Sequence, residues 1–180
     1  MPAAALDAEF SIYENGTGYS AAIELQDADR YQFNRPGLLG EPVPTTVRDI
    51  RLTDASGSVS FEQPRDSEIT FAKGDYLLRY EGDIEGNSFS AVLHEPYNVT
   101  VHLPSVFNIK NPLLGYVSRG GSSRIEDNKT IITWESTRYV EIRYYDEIRE
   151  IILIAFGTIW IALMIILLFG YYSMRAQYKE

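Results

Sequence analysis

The sequence contains no cysteine and only two histidines, His94 and His102. The lack of cysteine excludes disulfide bonds, thiolate zinc sites, cysteine nucleophiles and cysteine-held iron–sulfur clusters. Two histidines leave little material for a histidine metal site. The net charge of −9 argues against nucleic acid as a partner, because that binding needs Lys and Arg to neutralise phosphates.

The motifs of common enzyme and nucleotide-binding families are also missing. There is no G-x-S-x-G elbow, Walker loop, dinucleotide glycine signature or H-E-x-x-H pair. Asp27 and Asp29 have part of a calcium-loop spacing, but the further ligands do not follow, which favours a solvated loop. The sequence therefore predicts no catalytic residue, no cofactor and no metal site. An enzyme stays open only if such acidic pairs converge in space, as glycosidase carboxylates do.

What the sequence does contain is a long apolar run near its C-terminus. Residues Ile151 to Tyr172 are 22 consecutive positions without a charge. A helix of that length reaches roughly 33 Å, enough to cross a hydrocarbon core of about 30 Å. The alternative, a buried core helix, seldom runs so long without a charge. We predict a transmembrane helix over 146–173 and a short cytoplasmic tail over 174–180.

Aromatic residues support this interpretation at the ends of the run. Tyr171 and Tyr172 at its end, like Tyr144 and Tyr145 before it, fit the aromatic belt of a membrane interface. Trp160, in the middle, is predicted to face lipid or a partner. The lipid bilayer is therefore the first expected partner.

Residues 1–145 carry a different pattern, in which Gly, Pro and Asn turn signals punctuate short alternating runs. The clearest run places Tyr97, Val99, Val101 and Leu103 on one face of a strand. Period-2 alternation with regular turns is typical of antiparallel sandwiches and partly open barrels. We predict a mainly β fold, an antiparallel β-sandwich-like domain that joins the helix without a flexible linker. Residues 34–46, with three prolines, are predicted to be a long surface connection.

Three Asn-x-Thr sequons are candidate glycosylation sites, at Asn15, Asn98 and Asn128. Each lies at a predicted turn or on the outward face of a strand, where a glycan fits. The alternative is that they are ordinary polar residues of turns and strands.

The segment 108–121 is a candidate contact surface. It places Leu113, Leu114, Tyr116 and Arg119 in a predicted loop or short edge strand. Clustered apolar residues in a loop mark contact sites, so we expect them to pack against the strand over 138–145 or against a partner. Alternatively, they are core residues of an edge strand, as short apolar runs in β domains usually are.

The charges beside the apolar run leave its orientation open. Three arginines precede it (Arg138, Arg143 and Arg149), and Arg175 and Lys179 follow it. The positive-inside rule therefore leans toward a cytoplasmic N-terminal domain and a tail anchor, although the rule weakens for long folded domains. Residues 1–10 hold no apolar signal segment, so an outside domain implies a leader that has been removed.

Several segments resemble an uncharacterised archaeal family of single-pass membrane proteins. The matching segments are KGDYLLRYEG (73–82), EPYNVTVHLP (95–104), NPLLGYVSRGG (111–121), the strand of Trp134, and EIRYYDEIREIILIAFGTIW (141–160). The resemblance implies a secretion leader, often of lipoprotein type, a β-rich extracytoplasmic domain and a C-terminal span. This sequence has no lipobox cysteine. The family brings no established activity.

The expected location is thus the cell membrane, with the N-terminal domain outside. Three function classes compete: a non-catalytic accessory or structural subunit of a membrane or envelope complex, a cell-surface module that binds an extracellular ligand, glycan or S-layer protein, and a carboxylate-based hydrolase. The sequence favours the first, with another membrane or envelope protein as partner.

Overall fold

A computed structural model describes residues 5–37 and 39–177. These residues form fourteen strands and one helix: β1 (Leu6–Ile12), β2 (Gly18–Gln32), β3 (Asn34–Pro36), β4 (Pro42–Pro44), β5 (Arg48–Asp54), β6 (Gly57–Val59), β7 (Glu62–Arg65), β8 (Glu68–Asp83), β9 (Ser88–Leu103), β10 (Phe107–Asn108), β11 (Tyr116–Val117), β12 (Ser122–Glu126), β13 (Lys129–Arg143), β14 (Tyr145–Asp146) and α1 (Glu147–Gln177).

Ten strands join in one hydrogen-bonded sheet. The order across it is β11, β13, β9, β1, β2, β8, β5 and β6, with β12 added to β13 and β7 to β8. All pairs are antiparallel except β1 with β9, where Leu6 lies opposite Tyr97 and Ser11 opposite His102. Two small sheets, β3 with β4 and β10 with β14, complete the described strands.

The sandwich arises because four strands of about sixteen residues bend in the middle and run back. β13 pairs with the second half of β9 before its bulge and with the first half after it. β2 and β8 share a similar bulge around Ala28 and Gly74. The left-handed backbones of Asp27 (φ 50°) and Ser136 (φ 47°) lie at these bends. One sheet thus supplies both layers.

The core lies between the two halves of these strands and is rich in aromatic rings. Phe89, early in β9, packs on Phe10 of β1 and Tyr19 of β2 at centroid distances of 5.1 and 5.0 Å. Phe33 packs on Tyr80 of β8 at 4.9 Å. Tyr80 pairs with Ala21 early in β2, whereas Phe33 directly follows the end of β2, so this contact brings the two halves of a bent strand together. Burial of aromatic surface thus holds the layers together.

The helix α1 begins directly after β14 and is apolar on all sides. Within its stretch Glu147–Tyr172, the most apolar eighteen residues have a mean hydropathy of 2.9, and none of them is buried. Ile151, Trp160 and Tyr172 are all exposed along it. Within the described residues this is the one helix long and apolar enough to cross a membrane.

The mainly β, antiparallel fold with one long apolar C-terminal helix is confirmed. Two details differ from the sequence prediction. The helix continues to Gln177, past the predicted boundary at 173, and residues 178–180 lie outside the described residues. The predicted surface connection over 34–46 contains the hairpin β3–β4, because the prolines occupy the ends of short strands, where a missing N–H is tolerated.

Candidate interaction surface

The junction between the β domain and α1 contains no linker. β14 ends at Asp146, and Glu147 begins the helix. The backbone N–H of Arg149 donates to Asp146 Oδ1 at 2.9 Å, so Asp146 caps the helix that follows it. Glu147 and Glu150 lie in the first turn, where negative charge is favoured. The direction of α1 is therefore set by the strand that precedes it.

A tight turn of the segment 109–115 contacts the first turn of α1. The backbone N–H of Asn111 donates to the Tyr145 hydroxyl at 2.9 Å, and its side-chain amide donates to Glu150 Oε1 at 3.3 Å. Gly115 is required in this turn, because an added Cβ would collide with the backbone of Ile109. A loop distant in sequence thus holds the start of the helix.

Tyr144 fixes the other side of the junction. Its buried hydroxyl donates to the carbonyl of Gly16 at 3.0 Å, and its ring packs on Phe107 at 4.6 Å. Gly16 has φ 70°, and the ring of Phe107 occupies the space that a Cβ would need. Burial raises the pKa of Tyr144 to about 12. The β1–β2 hairpin, β10 and β14 therefore meet at the end of the domain from which α1 leaves.

Ser118 ties the far side of the segment 108–121 to β13. Its backbone N–H donates to the Glu141 carbonyl at 2.8 Å, and its hydroxyl accepts from the Glu141 N–H at 3.0 Å. Its carbonyl accepts from the indole N–H of Trp134 at 3.3 Å. Ser118 is buried, so these bonds are shielded from water.

The four predicted contact residues lie together beside this junction, and none belongs to the buried core. Leu113 is 78% exposed and Tyr116 is 47% exposed, while Leu114 is half-buried and Arg119 is exposed. Tyr116 lies opposite Arg143 on β13, and Val117 lies opposite Ile142. β11 is the last strand at this edge of the sheet.

The three sequons occupy different environments. Asn15 and Asn128 are exposed in the turns between β1 and β2 and between β12 and β13. Asn98 is half-buried in β9, where its amide donates to Asp7 Oδ1 at 3.2 Å and its carbonyl oxygen accepts from the Ser136 N–H at 3.3 Å. A glycan on the Asn98 amide nitrogen would crowd the bond from that nitrogen to Asp7, whereas Asn15 and Asn128 are exposed in turns.

The acidic pair and His102, which were considered for chemistry, lie in surface contacts with other side chains. Asp27 binds Lys73 at 2.9 Å, Asp29 binds Arg30 at 3.1 Å, and His102 lies 2.9 Å from Glu9. No group of three or more metal-ligating side chains occurs among residues 5–37 and 39–177. The acidic pair therefore contributes to surface ion pairs.

Sequence reasoning missed a groove beside His94. The groove has a volume of about 670 Å³ and lies between the β3–β4 hairpin and β9, with Arg138 and Tyr139 on its other wall. His94 Nε2 lies 3.0 Å from the carbonyl of Gln32, and its ring meets Tyr31 edge-on. The groove forms only because bent strands from distant parts of the chain meet here, so no local sequence signal marks it.

Comparison with known proteins adds a family but no activity. Residues 4–180 match the model of a family of unknown function (DUF5803), so the chain belongs to this family. No match was found among the curated proteins.

Proposed function

We propose that this member of the DUF5803 family is a single-pass membrane protein whose β domain rests on the bilayer and serves as a non-catalytic accessory or structural subunit of a membrane or envelope complex. The helix supports the membrane part of the proposal, because its apolar stretch is long enough to span and exposed on all sides.

The observation that carries the proposal is the junction. A module that searches for a distant ligand usually has a flexible tether, rich in Gly and Ser or in Pro. Here Asp146 caps the helix directly, and Asn111 bonds both Tyr145 and Glu150. The domain and the helix therefore form one stiff unit, which suits a part that must hold a fixed position in an assembly.

The partner surface in this proposal is the edge strand β11 with the residues around it. Tyr116 and Arg119 are exposed there, and β11 has a neighbour on one side only. Tyr and Arg are the residue types that most often dominate binding energy in protein interfaces. An edge strand also offers free backbone groups to a second chain.

Co-purification tests this surface. The full chain is extracted from its own membranes in mild detergent, and co-eluting proteins are identified by mass spectrometry. Tyr116→Ala and Arg119→Ala should release a partner, while Ile125→Ala, which removes an exposed apolar side chain from β12, should retain it. If both variants keep every partner of the unchanged chain, β11 is not the docking edge.

The proposed orientation places the β domain outside an archaeal cell and the short tail over 174–180 in the cytoplasm. The sequence has no cysteine, so a maleimide labels only the cysteine that is introduced into this chain. An impermeant maleimide applied to intact cells should label Glu126→Cys, on the exposed β12–β13 hairpin, and should label Lys179→Cys only after lysis. The reverse pattern would instead support a tail-anchored protein with a cytoplasmic domain.

The groove at His94 favours a second candidate, a cell-surface module that binds an extracellular glycan. The groove has the size of a small-ligand site, and its wall combines an aromatic ring with a cation and an imidazole. Envelope oligosaccharides should then bind to the purified chain, and Arg138→Ala should abolish the binding. Equal binding by Arg138→Ala and by Arg124→Ala, which is exposed on β12, would exclude this groove.

A further inference from the structure

The turn over 111–114, with sequence Asn-Pro-Leu-Leu, presents apolar side chains at the level of the first turn of α1. Asn111 bonds Glu150, which is the last charged residue before the apolar stretch that begins at Ile151. Leu113 is 78% exposed, and Pro112 is exposed beside it. If α1 spans a bilayer, these side chains therefore lie where the headgroups meet the acyl chains.

The backbone N–H groups of this turn already have partners, which is one requirement for entering lipid. A backbone N–H that enters an apolar phase without a partner is costly, so inserted segments must satisfy their own donors. Pro112 has no N–H. The N–H of Leu113 donates to Asn111 Oδ1 at 3.1 Å, and the N–H groups of Leu114 and Gly115 both donate to the Asn111 carbonyl, at 3.1 and 2.7 Å. No donor from 112 to 115 needs water.

The residues beside the turn fit the same location. Lys110 is exposed next to it, and a lysine there can extend toward lipid phosphates. Leu114 is half-buried against the domain, so the turn is supported from behind while Leu113 projects. An exposed leucine on a rigid, internally bonded turn is typical of a contact with an apolar phase.

We propose that the 111–114 turn inserts Leu113 into the outer part of the bilayer, as a second membrane contact beside α1. This inference rests on the proposed membrane anchor, because it needs the bilayer to begin at Ile151. A helix alone permits the domain to rotate and tilt about one axis. A second contact removes that freedom and fixes which face of the domain points away from the membrane.

Single-cysteine labelling of the full chain tests the proposal. Leu113→Cys is labelled with an environment-sensitive fluorophore, and the chain is placed in nanodiscs of phosphatidylcholine and phosphatidylglycerol in equal parts. Ala72→Cys is the water control, because Ala72 is exposed beside the β8 bend, at the opposite end from the junction. Ile159→Cys, in the middle of α1, is the lipid control.

The label at position 113 should emit at shorter wavelength than the label at 72, resist quenching by aqueous iodide, and be quenched by lipids with a shallow nitroxide. If it behaves like the label at 72 while the label at 159 is quenched by lipid, the second contact is wrong and the anchor stands. If aqueous iodide quenches the label at 159, α1 does not span the bilayer, and the proposed second contact is wrong as well.

Two controls accompany the measurement. Near-ultraviolet circular dichroism of each variant should match that of the unchanged chain, and a label at Pro112→Cys should repeat the result for position 113.

Discussion

Buried polar side chains at the junction have a fixed set of partners, and this decides what single substitutions do. Within residues 5–37 and 39–177, every buried side-chain nitrogen or oxygen that lies out of reach of solvent has a hydrogen-bond partner. A substitution that removes one partner leaves the other unsatisfied, which costs more than the bond itself contributed. The clearest cases are Ser118 and Tyr144.

Ser118→Ala should lower the free energy of unfolding of the β domain by about 1–3 kcal/mol. The change removes the hydroxyl that accepts from the Glu141 N–H and leaves that N–H without its side-chain acceptor. Denaturant unfolding of the full chain in detergent, followed by circular dichroism in the β region, measures the loss. Ser123→Ala, exposed on β12, should change little. An equal loss in both variants would contradict the role given to Ser118.

Alkaline pH should destabilise the domain, and Tyr144 should contribute to this. Burial raises its pKa to about 12 in the folded state, against 10.0 for an unperturbed tyrosine. Below pH 10 both states keep the proton and stability is unaffected. Between pH 10 and 12 the unfolded state ionises first, so the unfolded state holds fewer protons and stability falls, by up to about 1.4 kcal/mol per pH unit for each such group.

Tyr144→Phe should therefore reduce the steepness of that fall, although it lowers stability at pH 8 by losing the bond to Gly16. Burial also raises the pKa of Tyr19 and Tyr97 to about 12, so part of the slope should remain. Unfolding free energies from pH 8 to 12 give the comparison. Tyr171→Phe, on the exposed end of α1, is the matched control for removing a tyrosine hydroxyl outside the β domain.

At the scale of elements, the 109–115 turn is the part that joins the domain to the helix, and Gly115 is its most constrained residue. Gly115→Ala should open the turn, because the new Cβ collides with the Ile109 backbone, and should cost about 1–3 kcal/mol. Hydrogen exchange of the first turn of α1 should speed up, since Asn111 can no longer hold Glu150. Gly157→Ala meets no atom within 4 Å and should leave that exchange unchanged. Unchanged exchange in Gly115→Ala would show that the turn does not support the helix.

Local alternation predicts strand existence well in this chain and predicts pairing poorly. The runs at Tyr97–Leu103 and Val140–Arg143 lie in strands with the expected buried face, because side-chain period and burial are both local properties. The parallel partner of β1 lies some ninety positions away, and the partners of β13 on β9 lie 27 to 55 positions away. No local pattern records either pairing. The groove at His94 was missed for the same reason, whereas the exposed cluster at Leu113 was visible as apolar residues among turn formers.

At the scale of the whole molecule, the direct junction should keep the domain and helix in one orientation. Ten Gly and Ser residues inserted between Asp146 and Glu147 should broaden the distribution of distances between spin labels at Ala72→Cys and Ile159→Cys in nanodiscs. The same insertion after Gly40, in the exposed loop between β3 and β4, should leave the distribution of distances narrow. A broad distribution in the chain without an insertion would contradict a stiff junction.

The central position of β1 has a consequence for how the chain folds. β1 pairs with β2 across a short turn, but its other neighbour is Tyr97–His102, about ninety residues later. Closing a loop of that length costs about 4 kcal/mol of chain entropy, and this cost comes before strand pairing and burial can offset it. Before β9 pairs with it, β1 is an edge strand with free backbone groups. It then exposes Ala8, Phe10 and Ile12, which are buried in the core of the folded domain. Refolding should therefore be slow for a domain of this size. The β1–β2 hairpin is the segment most prone to aggregate in the partly folded state in which β9 has not yet paired.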